Sequence, residues 1–203
     1  MTNNIILATQ SEIKVNCVKT FFSDCQLEIK TISTKTDYVQ PIGHDQARHC
    51  LTQRMEQAKA AADANTYLTL AIENFVFNEG TVFYDACMVA MQRLPQGEIQ
   101  FTQIIKSQTV EVPAILNDIL FHNEPSTVIE QVGGSTGDRS MRSSRETLKT
   151  TCGDLLREHY GENPLYSDKD WFMATGNAFN RTQQINMVLQ GSPLLGLVRN
   201  IHR

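Results

Sequence analysis

Apolar positions along the chain switch between two periods. Ile5, Ile6, Leu7 and Ala8 form an unbroken apolar run, the pattern of a strand covered on both faces. Ser11 then stands where a helix over residues 12–22 would be capped, with Ile13, Cys17, Val18 and Phe21 recurring at helical spacing. Residues 27–32 alternate, Leu27, Ile29 and Thr31 against Glu28, Lys30 and Ile32, and predict a second strand. The turn Gln40-Pro41-Ile42-Gly43 leads into a helical pattern over residues 44–62. Two long apolar stretches, 68–77 and 82–91, flank Asn78-Glu79-Gly80 and predict a hairpin, because glycine supplies the positive φ of a short turn.

Later elements are shorter. Residues 99–105 add a strand candidate, and residues 112–120 a helix that opens on Pro113. Residues 147–160 read as a helix and residues 171–174 as a short strand. The run Asn180-Arg181-Thr182-Gln183 resembles a capping box before a last helix, which Gly191 and Pro193 stop. Strand, helix, strand, helix and then a hairpin predict an α/β fold with a mixed sheet, formed as one domain over residues 1–203. Residues 123–146, rich in Gly and Ser, read as a mobile polar surface loop.

Three charges sit where the pattern asks for apolar groups. In the helix after Gly43, Ala47, Cys50, Leu51, Met55, Ala58 and Ala61 make one stripe, and Arg54 falls within it. That guanidinium either pairs with a carboxylate over an apolar stem or contacts an anion in a cleft. Lys14 lies in the first turn of its helix, where the macrodipole disfavours a cation but where free N–H groups favour a phosphate. Glu73 stands in the middle of an apolar strand. It is either half of a buried ion pair with Arg54 or Lys14, or a metal-binding or catalytic carboxylate.

Other features narrow the field. Eighteen Lys+Arg against 22 Asp+Glu give a net charge of −4, which argues against nucleic acid as the partner. Arg139, Arg142, Arg145 and Lys149 would share one helical face, as a solvated basic surface or as a site for an acidic partner. Gly133-Gly134-Ser135-Thr136-Gly137 lacks the spacing of a phosphate-binding loop. His44 and His49 do not have the spacing of a helical zinc pair. Five scattered cysteines, none in a CxxC pair, fit reduced thiols in a cytoplasmic setting. No membrane span or leader is expected from the apolar runs.

Taken together, the motifs resemble the inosine/xanthosine triphosphatase family, which hydrolyses non-standard purine nucleotides. Ala8-Thr9-Gln10-Ser11-Glu12-Ile13-Lys14 is similar to that family's A-T-T-N-P-x-K turn. Gln40-Pro41-Ile42-Gly43 with Arg54 eleven residues on resembles its Q-P-x-G turn and following G-A-x-N-R helix. Ala71-Ile72-Glu73-Asn74-Phe75-Val76 resembles A-I-E-x-G-I, and Phe179-Asn180-Arg181 resembles a late L-T-R. The resemblance is greater still to a non-catalytic branch, the C-terminal domain of proline-rich and coiled-coil-containing protein 1. There P-Q-P-V-G, V-E-N-F and D-W-H-M-A-F-T-G match residues 39–43, Ile72-Glu73-Asn74-Phe75 and Asp170-Trp171-Phe172-Met173-Ala174-Thr175-Gly176. It extends over roughly residues 5–190, apart from a stretch around 123–165.

The resemblance implies an inosine-triphosphatase-like fold, a twisted mixed sheet flanked by helices, with two lobes about a central cleft. It implies catalytic roles for Glu73 and Lys14, substrate contacts from Thr9, Ser11, Lys14, Arg54 and Arg181, and magnesium on Glu73 with Asp37 if that residue moves in. Three departures count against hydrolysis. Thr34 stands where a second acidic ligand is expected, Glu12 adds a negative charge beside the phosphate turn, and Phe75 replaces a glycine beside the base. The expectation is therefore a regulatory or binding protein with weak or no hydrolase activity, and the alternative a magnesium-dependent inosine/xanthosine triphosphate phosphatase. A purine nucleoside triphosphate ligand, a homodimer, a regulatory protein partner and a cytoplasmic location, associated with the Golgi or early secretory pathway, are implied by resemblance alone.

Overall fold

A computed structural model of the chain describes residues 3–80, 82–93, 102–112, 151, 152, 154 and 180–203. The first half of the prediction is found with small shifts at element ends. Strand β1 (Asn3–Leu7) leads into helix α1 (Glu12–Phe21), strand β2 (Leu27–Thr31) and helix α2 (Gly43–Ala60). The hairpin is longer than its apolar runs, with β3 (Thr66–Glu79) and β4 (Val82–Arg93) in continuous register from Leu68 opposite Arg93 to Glu79 opposite Val82. Gly80 sits in the turn at φ 61°. Strand β5 (Thr102–Lys106) and the two-residue β6 (Val110–Glu111) both pair with β4.

The sheet is open and mixed, in the order β2-β1-β3-β4-β5. β1 pairs in parallel with β2 and β3, and the hairpin and β5 continue antiparallel. Both faces are covered, which explains why β1 and β3 read as unbroken apolar runs. On one face Ile5, Leu7, Leu68, Leu70, Ile72, Val89 and Met91 pack with Cys17 and Val18 of α1 and with Ile185, Val188 and Leu189 of helix α3 (Arg181–Gln190). On the other, Ile6, Ala71, Phe75, Phe77, Met88 and Ala90 meet Ala47, Leu51, Met55 and Ala58 of α2. Each such Leu, Ile or Phe contributes about 1.5–3 kcal/mol of burial.

One element was not anticipated. Pro193 does not merely stop α3; it opens a further helix, α4 (Pro193–Ile201). Proline is pre-shaped for a first helical position, where its missing N–H costs nothing. The Ser192 hydroxyl accepts from the Leu195 N–H at 3.2 Å and completes the cap, so the breaker signal is a start signal. The capping box of α3 is found as read: Gln183 N–H donates to Asn180 Oδ1 at 2.8 Å, and Asn180 N–H to Gln183 Oε1 at 2.7 Å.

The five cysteines are free thiols. Among the described residues no helix is long and apolar enough to cross a membrane. The 123–146 loop, the basic residues from Arg139 to Lys149, the glycine-rich run after Gly133 and the 171–174 strand lie outside the described residues. So do the helix expected over 113–120 and most of that over 147–160.

Candidate functional site

β3 outruns β1, and that length difference creates the site. Pairing of β1 with β3 ends at Leu7 opposite Leu70, after which the Ala8 N–H donates to the Leu70 carbonyl at 2.8 Å. The same edge of β3 is next joined at Val76, whose N–H donates to the Pro41 carbonyl at 3.1 Å. Between those attachments the Ile72 carbonyl has no strand partner among the described residues, and Lys14 Nζ donates to it at 2.8 Å. The lysine reaches inward from the first turn of α1. Burial of its ammonium lowers its pKa, against the opposing pull of Glu73.

The turn that places Lys14 is fixed by short polar contacts. Thr9 is buried, and its hydroxyl accepts from the Ser11 N–H at 3.1 Å. Ser11 is extended at φ −64°, ψ 118° and caps α1 without a side-chain hydrogen bond. Thr34, just past β2, donates its hydroxyl to the Ala8 carbonyl at 3.4 Å.

Glu73 points to the α2 face of the sheet and is 5% exposed. Arg54 Nε donates to Glu73 Oε2 at 2.5 Å, and Arg54 Nη1 donates to the Thr34 hydroxyl. The charge within the α2 stripe is thus the counter-ion of the charge within β3, the pairing that makes a buried carboxylate tolerable. Beside it Phe75, fully buried, stacks on Phe77 at 5.6 Å and meets the His44 ring edge-on at 5.1 Å.

A second polar group lies on the opposite face of the same strands. Arg181, the first residue of α3, donates through Nη2 to Asp85 Oδ2 at 3.2 Å. Asn74 Nδ2 donates to Gln184 Oε1 at 3.3 Å, and Gln184 Nε2 donates to the carbonyls of Gln108 at 3.3 Å and Asp85 at 3.5 Å. Burial pushes the Asp85 carboxyl up to about 6, against the opposing effect of Arg181. Asp85 Oδ1 and Asn74 Oδ1 are buried with no hydrogen-bond partner among the described residues.

Of the residues singled out in the sequence, Arg54, Glu73 and Arg181 each lie within electrostatic reach of Lys14. Thr9 and Ser11 form the turn beneath Lys14. Asp37 goes elsewhere. It is largely exposed, its Oδ2 bonded to His49 Nε2 at 2.7 Å and to Gln53 Nε2 at 2.8 Å on α2, and these bonds hold its carboxyl below the usual range. It makes no contact with Glu73. Among the described residues no group of three or more His, Cys, Asp and Glu side chains is placed to hold a metal ion. With one oxygen of Glu73 on Arg54, and the neighbouring hydroxyl of Thr34 on the same guanidinium, these residues do not fit a magnesium ion.

Asp85, Asn74 and Gln184 were missed in the sequence. Asp85 carried the same signal as Glu73, a lone carboxylate in an apolar strand, and the hairpin register places it opposite Val76 and hence near Asn74.

No protein-family model and no curated protein matches the chain. Solved structures similar to it include the following two. Protein VC0702 from Vibrio cholerae is 16% identical, with a TM-score of 0.60 over 94% of this chain and 94% of that one. The Staphylococcus aureus Ham1 protein is 13% identical, with a TM-score of 0.37 over 54% of this chain and 70% of that one. The first of these likenesses establishes a shared fold along nearly the whole chain.

Proposed function

We propose that the chain is a regulatory or binding protein on an inosine-triphosphatase-like fold, with weak or no hydrolase activity. The observation that carries this reading is the Arg54 guanidinium, which engages both Glu73 and Thr34. Those are the two positions at which the resembled family places its acidic magnesium ligands. Metal-assisted attack on a phosphoanhydride depends on a fixed metal geometry, with magnesium held by one or two free carboxylates and the substrate's phosphates. Here one carboxylate is neutralised, the other position holds a hydroxyl, and Asp37 is bonded to the outer side of α2.

The cations favour a phosphate-bearing ligand, for which a purine nucleoside triphosphate is the class to test, and the resemblance adds a second copy of the chain or a regulatory protein as partner. Turnover of inosine and xanthosine triphosphates with magnesium tests the reading. Typical enzymes turn over about 10 times per second; the expected rate is at least about a thousandfold lower and unchanged by Glu73→Gln. Turnover of about one per second or more, abolished by Glu73→Gln, would overturn it and establish the magnesium-dependent phosphatase instead.

A further inference from the structure

We infer that Arg54 is the resident cation of this site, and that the site takes phosphate or pyrophosphate oxyanions without a divalent metal. The inference rests on the proposed binding function and specifies how the ligand's charge would be met.

The geometry assigns each donor of the guanidinium. Nε is held by Glu73 and Nη1 by Thr34, while Nη2 meets no acceptor among the described residues. The Arg54 side chain is 17% exposed and so reaches solvent. A guanidinium held on two sides presents its third side in a fixed direction, which suits a tetrahedral oxyanion. Lys14 supplies the second contact. Its ammonium carries three donors, and the Ile72 carbonyl takes one of them.

The local charge agrees. Among the described residues Lys14 lies within electrostatic reach of Arg54 and Arg181 as well as of Glu73, so an anion beside Lys14 is drawn by more than one cation. A divalent ion on Glu73 would have to displace Arg54 and would then sit within electrostatic reach of Lys14. An oxyanion meets no such barrier, because it needs only the free edge of Arg54 and the spare donors of Lys14. Glu73 and Thr34 are thus both engaged by Arg54, and the guanidinium with Lys14 is left to meet the charge of the oxyanion.

Calorimetric titration of the purified full chain tests this with two probes. Manganese alone is expected to give no saturable binding to the wild type. The double variant Thr34→Glu with Arg54→Gln is expected to gain a manganese site, and adding Glu73→Gln to remove it. Pyrophosphate is expected to bind the wild type in EDTA, to weaken by about tenfold or more in Lys14→Met, and to bind no tighter when magnesium is present. Saturable manganese binding to the wild type that is lost in Glu73→Gln would overturn the inference. So would a double variant that folds and gains no site, a tenfold tightening of pyrophosphate by magnesium, or no pyrophosphate binding in EDTA. The pyrophosphate result stands on wild-type protein even if the double variant does not fold. None of these outcomes depends on turnover, so the inference can fail while the non-hydrolytic reading survives.

Discussion

Arg181 donates through Nη2 to Asp85 Oδ2 at 3.2 Å, tying the first residue of α3 to a strand carboxyl that is 1% exposed. That ion pair does not offset the cost of taking the carboxyl out of water, since the pKa of Asp85 still rises from 3.8 to about 6. Between those values Asp85 holds more of its proton in the folded chain than in the unfolded one, so its contribution to stability falls as pH rises across the window. A gap of about two units corresponds to roughly 3 kcal/mol. Asp24 and Asp63 have lowered folded-state values, and burial lowers those of His44 and His202. These groups contribute with the opposite sign and partly within this window, so the Asp85 contribution is read as a difference from Asp85→Asn. Urea unfolding at intervals from about pH 4 to pH 7 should show the wild type losing stability relative to Asp85→Asn as pH rises. Parallel profiles for the two proteins would show that Asp85 is not the group responsible.

The Arg54–Glu73 pair should behave asymmetrically. Arg54→Ala leaves a carboxylate buried without its counter-ion, and the expected loss is about 3–5 kcal/mol. Replacing both residues by methionine removes the uncompensated charge along with the pair and should cost much less, within about 1–2 kcal/mol of wild type. Chemical denaturation of the two variants decides it. Equal losses would mean that the pair matters for packing and not for charge.

The parts of the fold that could be read from the sequence were those in which local chemistry and burial agree. Leu68, Leu70 and Ile72 on one face of β3 and Ala71, Phe75 and Phe77 on the other read as a strand because helices cover both sides. Gly80 between the two apolar runs marked the hairpin for an equally local reason. Pro193 misled because proline ends one helix and begins another with the same fixed φ, and only the Ser192 cap separates the cases. At the site, Glu73 and Arg54 were visible as misplaced charges. Their pairing was not, because it depends on which face of β3 meets α2, and a one-residue change of register would have turned Glu73 towards α3. Asp85 escaped notice although it was equally misplaced, and its partner Arg181 lies far away in sequence.

Asn180 gives a local test of how Arg181 is positioned. Its side chain accepts from the Gln183 N–H, and Gln183 returns a bond to the Asn180 N–H. Asn180→Ala removes one half of that exchange and should destabilise by about 1 kcal/mol. Because Arg181 and Gln184 sit in the first turn that the box fixes, the same variant should also weaken pyrophosphate binding measured by calorimetry. Loss of stability with unchanged binding would place the α3 residues outside the ligand's reach.

Gly43 and Gly80 have the same backbone strain in different positions, at φ 78° and 61°. A Cβ at either would meet no atom within 4 Å, so crowding adds nothing and the cost of alanine is that of the left-handed backbone alone. Each substitution is therefore expected to cost about 1–2 kcal/mol in chemical denaturation. Their consequences should differ, because Gly80 only turns the hairpin while Gly43 begins the helix that carries Arg54 to Glu73. If Gly43→Ala lowers pyrophosphate affinity and Gly80→Ala does not, at equal loss of stability, the start of α2 is what sets the guanidinium in place. If both leave affinity unchanged, Arg54 is fixed by its bonds to Glu73 and Thr34 and not by the approach of its helix.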